Sequence, residues 1–171
     1  MIKKAFYDEP IKKSSRYYRF ILGFFKANDV KFRMRWDSVS SGGFAYSDQG
    51  YVEIRVTEGS VRQKRPVTIR KFLSVSLHEF CHVLNAREGK YKGYHTMSGR
   101  ITRARLKMWI RTGVRAEKYT DKRAAKLLAE YFPEIPFFPG YDLSGIKMYK
   151  KYHLGAIRED LRIMERRAKK P

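Results

Sequence analysis

Hydrophobic and polar positions along this chain change period several times, and each change marks an element. Between residues 14 and 27, Tyr17, Tyr18, Ile21, Phe24 and Phe25 recur at helical spacing behind Ser14 and Ser15, either of which can cap a first turn. From Val30 to Trp36 the pattern alternates strictly. Val30, Phe32, Met34 and Trp36 share one face and Lys31, Arg33 and Arg35 the other, as in a half-buried strand. A turn-rich stretch, Asp37 to Gly43, leads to Phe44 and Tyr46. After Asp48 to Gly50 a second alternation puts Val52, Ile54 and Val56 on one face, which predicts two more short strands.

After a basic loop over residues 57–66, the spacing from Pro66 to Arg87 is helical again. Its apolar residues, among them Phe72, Leu73, Leu77, Phe80 and Val83, nearly encircle the axis, so this helix is expected at the centre of the fold. Gly89, Gly93 and Gly99 interrupt the next stretch, and Ile101 to Ile110 and Arg115 to Tyr131 read as two further helices, stopped by three prolines between Phe132 and Gly140. Tyr141 to Pro171 opens with turn residues and closes as a charged helix with Ile157, Leu161 and Met164 on one stripe. The order is helix, small sheet, then helices. It predicts an α+β fold: a small, mostly antiparallel sheet packed on the central helix, with further helices following. One domain is expected over residues 1–171, with 141–171 as a helical extension.

Within the central helix stands His78-Glu79-Phe80-Cys81-His82. The i, i+4 spacing brings both imidazoles to one face, where they can bind a single cation, zinc above all. Glu79, offset by one position, can reach a water in an open coordination position without occupying the metal, as a general base must. Burying two His and a Glu in an apolar helix is costly unless they are satisfied, and metal ligation would satisfy them. A catalytic zinc needs a third protein ligand, and there are two candidates. Glu117 lies on a helix whose inner face continues through the small residues Thr120 and Ala124 to Leu127 and Leu128; Asp121, four residues on, could accept the second ring N–H of His78 or His82 and fix its tautomer. His95 follows His82 after a loop-like interval. Tyr152 or His153 could supply a donor to a developing oxyanion.

An HExxH helix followed by a helical ExxxD resembles the gluzincin metallopeptidases. The resemblance implies Glu117 as third zinc ligand, Asp121 behind a ligand, and a minimal zincin-like fold. More narrowly, Glu117-x-x-Thr120-Asp121-x-x-Ala124-x-x-Leu127-Leu128 is similar to the Glu-x-x-Ala-Asn/Asp-x-Phe-Ala-x-x-Leu-Leu helix of the ImmA/IrrE peptidases, with Arg123 where that family has Phe. The likeness spans residues 67–132. The spacing from His82 to His95 instead resembles the SprT-like proteases, which use three His; in them Gly and an aromatic follow the third His closely, whereas here Thr96 and Met97 do. In HExxH folds generally a sheet edge near the site can pair with an extended peptide, and Tyr51 to Val56 is the strand before the metal helix.

Charge adds a second theme. Lys and Arg number 38 against 17 Asp and Glu, a net +21 that implies a polyanionic partner, nucleic acid first. Arg100, Arg103, Lys107 and Arg111 form a stripe at helical spacing; Arg62, Lys64, Arg65, Arg70 and Lys71 cluster before the central helix; Arg166, Arg167, Lys169 and Lys170 make a tail. Interleaved Tyr and Phe residues could stack on bases and are equally expected in a core. Cys81 is the only cysteine, which excludes an internal disulfide framework and fits a reducing compartment. With no apolar run near the roughly 18 residues of a membrane span and a charged Met1 to Lys13 segment, a cytoplasmic protein without a transmembrane segment is expected. The chain therefore reads as a zinc metallopeptidase acting on a peptide or protein in association with a polyanion. The alternative is a basic nucleic-acid-binding or assembly protein whose metal site is structural or inactive, for which closure by His78, His82, His95 and Glu117 together would be the mark.

Overall fold

The computed structural model describes residues 5–36, 42–56, 66–90 and 103–139, together with residue 155. Helix α1 (Arg16–Ala27) is followed by strands β1 (Lys31–Trp36), β2 (Gly42–Tyr46) and β3 (Tyr51–Val56), then by helices α2 (Ile69–Arg87) and α3 (Arg103–Tyr131). Ser15 caps α1, its side chain accepting the Tyr18 N–H at 3.2 Å, and Thr68 caps α2 by accepting the Lys71 N–H at 3.3 Å.

The expected α+β class is found, with one change in the sheet. Its order is β1-β3-β2. A short turn at Ser47–Gln49, closed by Gly50 at φ +59°, folds β2 back antiparallel onto β3, while β1 pairs with the other side of β3 in parallel. The sheet is thus mixed rather than mostly antiparallel. Alternation assigns faces to a strand but not its neighbours, so the parallel pair was not legible in it. Nor is Tyr51–Val56 an edge: it is the central strand, and β2 lies outside it.

The two faces of the sheet differ. Val52, Ile54 and Val56 of β3 are at most 1% exposed and join Phe32, Met34, Trp36 and Ala45 in a core shared with α1 and α2. Tyr17, Ile21 and Phe25 supply the α1 stripe, and Phe72, Leu73, Leu77, Phe80, Cys81 and Val83 the α2 contribution. Aromatic rings knit the layers: Phe25 lies 5.4 Å from Phe32 and 5.9 Å from Phe80 by ring centroid. Before α1, the chain pairs with the start of α2, Ile11 N–H donating to Val67 and Ile69 N–H to Glu9, each at 2.9 Å.

Where two helices were expected after residue 100, there is one of 29 residues. It runs through Gly113, and Thr112 donates to the Met108 carbonyl at 3.0 Å. An interior glycine costs about 1 kcal/mol relative to alanine, which does not break a helix of this length. Two compact units are distinguished, residues 1–92 with 119–140, and 93–118 with 141–171; the division falls inside α3, between Lys118 and Tyr119. The expected C-terminal extension, 141–171, lies outside the described residues apart from residue 155. Among the described residues no helix is long and apolar enough to cross a membrane.

Phe25 has no exposed surface and joins both packed layers, so Phe25→Ala is expected to destabilise the fold by about 3–5 kcal/mol in denaturant unfolding. A loss below 1 kcal/mol would mean that this aromatic contact does not hold the sheet to its helices.

Candidate metal centre

The motif sits in the third and fourth turns of α2, where the helix is buried on almost every side. His78 is 7% exposed and His82 is half-buried. As i, i+4 neighbours their rings meet edge to face, centroids 4.7 Å apart, with the two Nε2 atoms 3.0 Å apart. Two nitrogens bound tetrahedrally at zinc's usual distance of about 2.0–2.1 Å stand roughly 3.3 Å from each other, so this spacing is close to what one shared cation requires.

Asp121 settles the tautomer of His78. Its Oδ1 lies 2.7 Å from His78 Nδ1, and since a carboxylate only accepts, Nδ1 is the donor. In the neutral ring Nε2 is then left with its lone pair directed at His82. One helical turn before Asp121 on the same continuous helix is Glu117, itself 7% exposed. One ligand atom from each of His78, His82 and Glu117 falls within a 4.8 Å span: a buried cluster that could bind a metal ion. The expected candidates His78, His82, Glu117 and Asp121 are therefore brought together. His95, Tyr152 and His153 lie outside the described residues.

Glu79 is half-buried and turns toward the sheet. Its neighbour there is Gly43 of β2. A methyl group at Gly43 would collide with Glu79 Cγ and stand 2.8 Å from both Glu79 Oε1 and Val75 Cγ1. Any larger residue at Gly43 would force the Glu79 and Val75 side chains to shift, because the edge strand passes directly over them.

A polar clasp, absent from the sequence-based expectations, fixes α2 against the Tyr119–Tyr131 half of α3. Asn85 donates to Thr120 Oγ1 at 3.0 Å and accepts from Arg123 Nη1 at 2.9 Å, while Arg123 Nη2 bonds Glu88 Oε1 at 2.5 Å. Gly89, at φ +69°, ends α2 in a Schellman turn in which Lys90 N–H reaches the Asn85 carbonyl at 2.8 Å. That turn brings the Lys90 ammonium to Glu88 at 2.7 Å and to the Tyr119 hydroxyl at 2.6 Å. Arg123 and Lys90 hold the Glu88 carboxyl at about 2, far below its ordinary range, and Glu88 in turn raises both of them. Thr120 and Ala124 are wholly buried, the small residues that let the helices approach. Arg123, read from the sequence as a departure from the pattern it resembles, closes the clasp. The available signal was Asn85, seven residues from His78 and three from His82, hence on their face.

Cys81, between the two His in sequence, lies in the core, within reach of the charges of Arg123 and Glu88. It has no exposed surface, and burial pushes its thiol up to about 12. Arg70, from the expected basic cluster, is already engaged: it pairs with Asp8 at 3.0 Å and lies over the rings of Tyr7 and Phe138.

Compared with known proteins, the chain matches no family model, no curated sequence and no solved structure, so its residues alone carry the functional reading.

The depressed carboxyl of Glu88 makes the clasp pH-dependent. A group whose folded pKa is lowered contributes stability above its unfolded value and loses it as pH falls toward the folded one. Glu88→Gln should therefore lower the melting temperature at neutral pH, and its difference from wild type should shrink as pH drops from 4.5 toward about 2. A difference that stays constant across that window would remove Glu88 from the clasp.

Proposed function

We propose that this chain is a minimal zincin-like, zinc-dependent metallopeptidase that works on, or is localised by, a polyanion. The observation that carries the reading is the buried convergence of His78, His82 and Glu117, with Asp121 hydrogen-bonded behind His78. Two neutral nitrogens and one carboxylate are the donor set of a catalytic zinc site that leaves one position open, as in the gluzincin metallopeptidases that the motif resembles. The carboxylate–imidazole pair adds the outer support that metal-ligating histidines ordinarily have. Zinc in such a site supplies Lewis acidity, bringing a water's pKa near 7 and polarising a carbonyl.

The chain's own residues would divide the remaining work. His78, His82 and Glu117 hold the cation; Asp121 keeps the His78 Nδ1 proton in place so that Nε2 remains a donor of its lone pair. Glu79, adjacent to the ligand His78 but directed toward β2, accepts the proton of the attacking water and returns it to the leaving amine. The mixed sheet supports a place for the substrate, because β2 is an edge strand beside Glu79 and an extended peptide can add to such an edge by main-chain pairing. Net charge of +21 supports the polyanion.

Elemental analysis of the purified protein, paired with cleavage of a denatured protein with and without DNA, tests this reading. Stoichiometric zinc is expected in wild type. His78→Ala and Glu117→Gln should lose it, and Asp121→Asn should weaken zinc binding by about 10–100-fold. Glu79→Gln should keep the metal and lose about 10²–10⁴-fold in rate. If wild type binds no zinc and cleaves nothing, the chain is better described as a basic binding protein; if His95→Ala loses zinc and Glu117→Gln does not, the third ligand is His95.

A separate variant probes the strand over the general base. Gly43→Ala should retain zinc while reducing cleavage, by up to about 100-fold if Glu79 shifts by an ångström. Unchanged rate with unchanged metal content would show that Glu79 has room to move aside.

A further inference from the structure

The face of the sheet turned away from α2 is unlike an ordinary solvated surface. Along β1 it carries Lys31, Arg33 and Arg35, each exposed, while the intervening Phe32, Met34 and Trp36 face the core. The register sets Lys31 beside Tyr51, Arg33 beside Glu53 and Arg35 beside Arg55 on β3. Across β3, Tyr46 of β2 stands opposite Tyr51 and Phe44 opposite Glu53. Side chains on this one face thus form a cationic column on one strand and an aromatic column on another, with Arg55 between them.

Phe44 and Tyr46 are 48% and 47% exposed, and they are consecutive outward positions of the same strand. Two half-exposed rings at adjacent outward positions form one continuous apolar patch rather than scattered single residues, and contiguous patches are where interaction surfaces are sought. The rings are also ordered by their neighbours. Arg55 lies over the Phe44 ring at 4.9 Å, and Tyr46 packs against Tyr51 with centroids 5.4 Å apart. Glu53 is the one carboxylate among these positions, and it is neutralised in place: Arg55 Nε bonds it at 2.7 Å and Arg35 lies 3.7 Å away. The Arg55 hydrogen bond holds the Glu53 carboxyl below its ordinary range, so it stays a bridge between two guanidinium groups. Four cations against one carboxylate leave the face strongly positive.

The geometry points to this face as a platform for single-stranded nucleic acid, with bases stacked on Phe44 and Tyr46 and phosphates drawn to Lys31, Arg33 and Arg35. Positive charge alone would attract any polyanion. Exposed aromatic faces add something that a duplex, with its bases already stacked, cannot use and a single strand can. A small sheet presenting two or three aromatic side chains is sufficient for two or three nucleotides. The contact is expected to be tolerant of sequence, since every base has a face to stack. This inference rests on the polyanion part of the function proposed above and not on its metal chemistry.

Fluorescence anisotropy with a short labelled oligo-dT strand, and with a duplex of the same length, tests it on the full-length wild-type protein and on Phe44→Ala/Tyr46→Ala. The wild type should bind the single strand more tightly than the duplex. The double variant should lose about tenfold or more for the single strand while changing little for the duplex. Arg33→Glu, at an exposed position, should weaken both and reduce the salt dependence. Circular dichroism and melting temperature report whether each variant is folded. Should the aromatic variant fail to fold, photo-crosslinking of a bromodeoxyuridine strand to wild type answers the same question: cross-links are expected in the peptide that contains Phe44 and Tyr46. Equal binding of strand and duplex with no effect of the aromatic pair, or cross-links confined elsewhere, overturns the platform and leaves only general attraction to polyanions. Displacement of the strand by equal charge of polyglutamate overturns it in favour of an acidic protein partner. No binding to either nucleic acid overturns both the platform and the nucleic-acid reading.

Discussion

A buried imidazole has two ring nitrogens to satisfy, and the arrangement around α2 follows from that requirement. His78 gives Nδ1 to Asp121 at 2.7 Å, which leaves Nε2 directed at His82. Without the Asp121 carboxylate the ring could turn or exchange tautomers, and the shared focus of His78, His82 and Glu117 would have no fixed centre. That bond in turn depends on the register of two helices. Asn85, Glu88, Thr120 and Arg123 set this register from one side of the motif, in a network where nearly every donor has a defined acceptor. The site is accordingly a property of the helix pair as much as of the five-residue motif.

The sequence was most informative where burial alone decides the structure. The helical stripe of Tyr17, Ile21 and Phe25, the alternation from Lys31 to Trp36, and the encircled apolar surface of α2 all appear in the fold close to their expected limits. Strand order was not legible, because Val52, Ile54 and Val56 would face the core equally well from an edge or from the middle of the sheet. Two helices became one because Gly113 weakens a helix without ending it. In the site, the i, i+4 spacing of His78 and His82 and of Glu117 and Asp121 was enough to put each pair on a face. The long-range partners Asn85 and Arg123 were hidden, since neither belongs to a local pattern and their meeting depends on how two helices pack.

The sheet divides its labour by face. Its inner side, through Gly43, comes against the carboxylate that would move protons; its outer side gathers Arg and Lys beside exposed rings. Both sides meet in β2, a strand of five residues. An edge strand with glycines at its start and aromatic rings beyond them can approach the helix closely on one side and remain open on the other. Among the described residues most Lys and Arg lie in helices, but on β1 they have a fixed spacing, because a strand repeats its side chains every second residue.

Cys81 has a consequence for the chemistry that the protein can tolerate. Its sulfur lies in the core and its thiol is held near 12, so at neutral pH almost none is thiolate, the form that oxidants and alkylating agents attack. Among the described residues the cluster of possible metal ligands is His78, His82 and Glu117, and this sulfur is not part of it. Since this is the chain's only cysteine, its modification has to pass through opening of the core. The fold has in effect placed a single chemical clock at its centre, one that advances only during the moments when α2 comes away from its neighbours.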